Sequence, residues 1–230
     1  MNLNKFASRA ELDQQFAEQV AQLLTQAINE KGQASIAVSG GSTPKGFFQA
    51  LSKKALEWSK VTITLADERW VDVNSAESNT RLVKEHLLQN NAAKAHFFEL
   101  KISSQLDEKT LVHLNAQADK ILLPFDVVIL GMGEDGHTAS LFPCSEQIER
   151  ALSLDNQQKL MAITPKTAPH QRITFTLAAL LTSSHIFLHI CGDNKQQVLT
   201  QALANKDTLA MPVRAFLHHP SVLVQVMWAE

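Results

Sequence analysis

The chain has 230 residues, 45% of them hydrophobic and 19% charged, a composition that suits one large globular domain. Its formal net charge of −2 leaves no global field for nucleic acid or an anionic membrane, so an anionic ligand requires a local cationic pocket. The two cysteines, Cys144 and Cys191, suggest neither a disulfide framework nor a zinc site. The N-terminal stretch lacks the apolar core and cleavage site of a signal peptide, and no segment reaches the length of a membrane span. The expectation is a cytoplasmic protein with no nucleic-acid, membrane or obligate protein partner.

Elements follow in chain order. Leu12, Phe16, Val20, Leu23, Leu24 and Ala27 are spaced for an amphipathic helix over about 10–30, ended by Gly32. The run SIAVSGGSTP is a short apolar strand that breaks into glycines, with Thr43 and Pro44 as N-cap and first residue of the next helix. VTITLADERW is a β-branched run ending in charges, and Ser78 caps a helix through Leu88. A short strand at AHFFEL and a helix over 105–122, stopped by Pro124, come next. FDVVILGMGEDGH is again an apolar run that breaks into glycines. KLMAITP reads as a strand, ITFTLAALLTSS as ambiguous but helical in its later part, HIFLHICG as a strand, NKQQVLTQALA as a helix and SVLVQVMW as a last strand.

Strands alternating with helices, several strands apolar on both faces, predict a single α/β domain spanning 1–230. Its architecture is a mostly parallel, Rossmann-like sheet with helices on both faces. In such sheets ligands bind beyond the carboxyl ends of the strands. Four polar clusters fall there: SGGST, DER, GEDGH and GDNK.

Each cluster has a chemical and a plain reading. Gly40, Gly41, Ser42 and Thr43 form a glycine turn before a helix, whose exposed amides suit a phosphate; the plain alternative is a tight turn with a capped helix. Arg69, in Asp67-Glu68-Arg69, and Arg172, in PHQRITF, offer forked guanidinium groups for the same anion, or are solvated strand ends. Lys195 adds a point charge or is a first-turn surface residue. His137, after a buried strand and amid glycines and carboxylates, is the candidate general base, with Asp135 or Glu134 to orient it or an attacking water. Gly131, Gly133 and Gly136 match the GxGxxG dinucleotide fingerprint literally. Pro143 interrupts the required helix, and Asp155 does not follow a strand. No nucleophile elbow or HExxH motif is present, and His185 and His189, four apart in a strand, lie too far apart to share a metal. No metal or organic cofactor is expected.

SGGSTP, LADERWV, ESNTRLVKEHLL, FDVVILGMGEDGHTASLFP, PHQRITFTLAAL and CGDNKQQVL together resemble the 6-phosphogluconolactonase family, within the wider group that includes glucosamine-6-phosphate isomerases. The resemblance implies a Rossmann-like sheet without a nucleotide. It implies hydrolysis of 6-phospho-D-glucono-1,5-lactone to 6-phosphogluconate, in the pentose phosphate pathway. It puts the catalytic histidine on His137, the phosphate loop on Gly40 to Thr43, basic phosphate ligands on Arg69 and Arg172, a further one on Lys195, and an active-site carboxylate on Asp67. Asp72 stands where the family often has proline, and MPVRAF matches its late proline region loosely. The isomerase branch follows its Asp-Gly-His with Asn-Glu-Pro and carries Asp-Glu-Tyr where this chain has Asp67-Glu68-Arg69. Here Leu141-Phe142-Pro143 puts Phe142 at the position of the glutamate. Both differences favour the lactonase over an isomerase. A non-catalytic sugar-phosphate sensor is the remaining alternative.

Overall fold

The computed structural model describes every residue except Leu122. A central sheet of seven parallel strands runs in the order β1 (Asn2–Phe6), β10 (Val224–Ala229), β9 (His185–Cys191), β6 (Val127–Leu130), β2 (Ala34–Val38), β3 (Val61–Leu65) and β5 (His96–Phe98). The inner strands β2 and β6 are buried along their whole length, which is why they read as solid apolar runs rather than as alternation.

The chain leaves β2 toward β3 and leaves β6 toward β9. The strand order therefore reverses between β2 and β6, and this switch point is where an open α/β sheet leaves a crevice at its carboxyl edge. α1 (Arg9–Lys31), α2 (Lys45–Ser52) and α3 (Asn79–His86) pack in sequence against one another, and by the right-handed rule for parallel crossovers the oppositely directed connections through α4 (Glu108–Ile121) and α7 (Asp193–Leu203) fall on the other face. On the first face Phe16 of α1 stacks on Phe47 of α2 at 4.6 Å and meets Phe187 of β9 at 5.0 Å.

The parallel sheet and its helices match the architecture expected from the sequence, with one addition. A second, antiparallel sheet of three strands, β4 (Asp67–Arg69), β8 (Arg172–Phe175) and β7 (Leu160–Ile163), packs beside α4. The run VTITLADERW is thus two strands. Ala66 takes the chain out of β3, and Asp67 starts a strand of the second sheet. ITFTLAALL divides likewise into β8 and α6 (Leu177–Leu181).

Helix boundaries differ from expectation in physical detail. Ser8 caps α1 through the Glu11 amide (3.2 Å), and Gly32, at φ 81°, ends it. Ser78 caps α3 as expected, through the Arg81 amide at 3.2 Å. Thr43 does not cap α2: Pro44 occupies the cap position without a side-chain bond, and the helix begins at Lys45. α4 spans Glu108–Ile121, and residue 122 of the expected helix lies outside the described residues. The polar edge strand β1 has no counterpart in the sequence reading. Its pairing with β10 supplies what its side-chain pattern does not. The remaining helices, α5 (Ile148–Leu152) and α8 (Arg214–Leu217), are short. Among the described residues no helix is long and apolar enough to cross a membrane.

Candidate active site

At the switch point lies a cleft of about 250 Å³, lined by the loop after β2, the loop after β6, β4, the start of β8 and the first turn of α7. It is smaller than the roughly 300–1,000 Å³ of drug-sized ligand pockets, and so suits one small ligand. Gly40, Gly41, Ser42, Thr43, Asp67, Arg69, His137, Arg172 and Lys195 all reach it. Of the predicted site residues Asp135 and its alternative Glu134 do not line it, and Asp135 stands directly behind His137.

The loop after β6 is built around that pair. His137 Nδ1 lies 2.5 Å from Asp135 Oδ1, and the same carboxylate oxygen accepts the His137 amide at 3.1 Å. Burial works to raise the Asp135 carboxyl, and the hydrogen bonds and charge from His137 outweigh it, leaving the group below the ordinary aspartate range. With Nδ1 directed to the carboxylate, Nε2 is the ring nitrogen left for chemistry. Gly133 makes the pair possible. A Cβ there would overlap His137 Nδ1 and Asp135 Oδ1, and the Gly133 amide closes the turn by donating to the His137 carbonyl at 2.8 Å. The glycine run is therefore used for a histidine turn. No helix starts inside it; the next one, α5, begins at Ile148. That is incompatible with the dinucleotide fingerprint, which needs a helix beginning within the glycines.

The other face of the imidazole is apolar. Phe142 stacks on His137 with centroids 4.2 Å apart and planes 27° apart. This is the residue at the position of the isomerase branch's glutamate. The same ring carries the Arg172 guanidinium 5.2 Å from its centroid.

Arg69 and Arg172 are cross-strand partners in the β4–β8 ladder. Arg69 Nη1 donates to the Glu77 carbonyl (2.6 Å) and Arg172 Nη2 to the Pro169 carbonyl (3.2 Å), while the Nε of each is buried without a partner. Burial lowers the Arg172 pKa, the Asp67 charge opposes that, and the Arg69 charge adds to it. Arg172 stays cationic at neutral pH. Among the described residues no carboxylate is within ion-pair distance of Arg69, Arg172 or Lys195. Cationic side chains without an ion-pair partner at one cleft suit an anion.

Opposite them, Gly41 holds φ 94°, and none of the amides from Gly40 to Thr43 donates to another described residue. Those amides, ahead of the α2 N-terminus, are free to bind an anion.

Asp67 and Glu68 have different surroundings. Asp67 is 6% exposed and accepts Ser140 Oγ at 2.5 Å. Glu68 is no solvated strand end. It is fully buried and accepts the amides of Arg69, Asn79 and Thr80 (2.7–2.8 Å) and Ser78 Oγ (3.2 Å), so it secures the α3 N-terminus. Asn79, which lines the cleft and donates to the Asp67 carbonyl at 3.0 Å, was missed in the sequence, as was Ser140. The capping serine next to Asn79 was the available signal; Ser140 gave none.

A switch-point cleft with a carboxylate-held histidine and an arginine pair without ion-pair partners defines a Rossmann-like α/β protein whose cleft suits a small anionic ligand. The chain belongs to the glucosamine-6-phosphate isomerase/6-phosphogluconolactonase family, which matches residues 7–228. It is 41% identical to a 6-phosphogluconolactonase of Rhizobium meliloti over 99% of this chain and 98% of that one. A 6-phosphogluconolactonase of Neisseria meningitidis serogroup B is 42% identical, again over 99% and 98%. Among solved structures, a 6-phosphogluconolactonase from Shewanella baltica superposes with a TM-score of 0.96 at 46% identity, covering 100% of this chain and 98% of the other.

Proposed function

We propose that this protein hydrolyses 6-phospho-D-glucono-1,5-lactone to 6-phosphogluconate, with His137 as general base. The observation that carries the reading is the Asp135–His137 pair in one cleft with two arginines without ion-pair partners. Relatives of that name at 41–46% identity over the whole chain support it.

The lactone carbonyl is already an activated ester, so catalysis requires a positioned water, a base and stabilisation of the tetrahedral oxyanion. Asp135 holds the proton on Nδ1, and the neutral Nε2 takes a proton from water as its oxygen attacks C1. The tetrahedral intermediate then collapses with cleavage of the bond from C1 to the ring oxygen. The imidazolium returns its proton to that oxygen, which becomes a hydroxyl of the open-chain acid. Phe142 keeps one face of the imidazole dry and carries no proton, which favours lactone hydrolysis over sugar ring opening and isomerisation.

Arg69, Arg172, Lys195 and the amides of Gly40 to Thr43 hold the phosphate, so that binding energy far from C1 aligns the reacting atoms. Asp67 acts by position: its carboxylate is tied to Ser140 and its charge supports Arg172.

The test is acid release from freshly made 6-phosphogluconolactone beside ammonia release from glucosamine 6-phosphate. Acceleration of the first alone is the expected result. Ammonia release, or tight binding of both without turnover, would replace this reading with the deaminase or the sensor.

A further inference from the structure

The two arginines are held by two loops, and those loops are tied to each other. Arg69 donates to the carbonyl of Glu77, and Arg172 to the carbonyl of Pro169. At the base of the loops the Trp70 amide donates to the Gln171 carbonyl at 2.7 Å. One residue before Gln171, His170 Nε2 lies 2.8 Å from Oε2 of Glu77, the residue before the α3 cap Ser78. His170 holds φ 70°, a region uncommon for a residue with a Cβ.

We propose that the His170–Glu77 pair is a clasp that positions the Arg69 and Arg172 guanidiniums for the substrate's anionic group. A guanidinium bonded to a carbonyl is oriented only as well as the loop bearing that carbonyl. The clasp joins the residue bearing one of these carbonyls to the neighbour of the residue bearing the other. His170 and Glu77 do not line the cleft, so they act as positioning residues through the backbone. The inference rests on the reading that the arginine pair binds the phosphate.

Glu77 has a second, opposing effect. Its charge also supports the positive charge of Arg172. Removing that charge alone would strengthen attraction for a phosphate, whereas losing the tie would weaken its hold. Two substitutions separate these effects. Glu77→Gln removes the charge but keeps an oxygen to accept from His170, and Glu77→Ala removes both. Asn tolerates φ > 0 but is too short to reach Glu77, so His170→Asn opens the clasp from the other side without forcing the backbone.

The experiment is steady-state kinetics on 6-phosphogluconolactone and on the unphosphorylated lactone, with Arg69→Ala and Arg172→Ala alongside. Glu77→Ala and His170→Asn should each raise KM for the phosphorylated lactone about 2–5-fold, the span that a partly exposed ion pair supports. Their kcat should stay within about twofold, the double variant should be no worse than either, and the unphosphorylated lactone should be unaffected. Glu77→Gln should match wild type or bind slightly better. If Glu77→Ala and Glu77→Gln lower KM alike, or neither moves it while the arginine variants do, the clasp is refuted and the arginine assignment stands. If the arginine variants themselves leave KM unchanged, the reading beneath the clasp falls with it.

Discussion

Arg69 and Arg172 face each other directly across the antiparallel β4–β8 ladder, a register that sets two like charges side by side. Like charges directly opposite in a sheet are destabilising, and here each guanidinium also has a buried Nε without a partner. An arrangement that works against folding fits the proposal that a bound phosphate supplies further negative charge there. Replacing either arginine by alanine should raise KM by about 10–100-fold, the loss of one or two charge-assisted hydrogen bonds, with a smaller change in kcat. Inorganic phosphate should raise the Tm of the wild type and not that of the double variant. Equal phosphate stabilisation in both would move the anion site elsewhere.

Gly133→Ala tests the histidine turn without altering a chemical group. A Cβ at 133 collides with both His137 and Asp135, so the imidazole must shift. The expected result is a kcat reduced by at least about 10-fold with a nearly normal KM, because a displacement of about 1 Å in a catalytic group costs on the order of 100-fold. Unchanged kcat would mean that the His137–Asp135 contact is dispensable.

Glu68→Ala should unfold the protein more readily rather than disable its chemistry. The substitution strands the buried amides of Asn79 and Thr80 at the start of α3, and the Arg69 amide in β4. A stability loss of about 3 kcal/mol or more is expected in urea denaturation. A variant of normal stability would contradict the helix-anchoring role.

His189 sets an acid limit on stability. It is 4% exposed, it sits edge-on to Phe16 and Phe47, and neither ring nitrogen has a partner. Burial depresses its pKa to about 4 from 6.5. The unfolded chain therefore takes up the proton first as pH falls. The stability is fully present above pH 6.5 and is lost as pH falls from there toward 4. This one group should make the protein about 2 kcal/mol less stable at pH 5 than at pH 7. His189→Leu should remove that part of the pH dependence, read as the difference between variant and wild type in urea titrations at the two pH values. Parallel titrations would show that His189 is protonated in the folded state as well.

How much of this was legible in the sequence depends on where the signal lay. The parallel sheet was readable because β2, β6 and β9 are buried on both faces and carry unbroken apolar runs. The cleft was readable because three of its polar clusters directly follow those strands and the fourth, DER, comes just after β3. The antiparallel sheet was not. DER is only three residues long, and its pairing partner lies about a hundred residues away, so nothing local marks it as a strand. The same distance hid the Arg69–Arg172 register and the His170–Glu77 contact. Glu68 looked like a surface charge because its donors come from a helix ten residues on. Thr43 looked like a cap by residue type, and the following proline took that position instead.

The most direct test of the account is the rate of 6-phosphogluconolactone hydrolysis, corrected for the spontaneous reaction, in wild type and His137→Ala side by side. The account predicts strong acceleration by the wild type and a kcat about 10²–10⁴-fold lower in a folded variant, with KM little changed. A variant that hydrolyses the lactone as fast as the wild type would contradict His137 as the base. A folded wild type that leaves the spontaneous rate unchanged would contradict the lactonase itself.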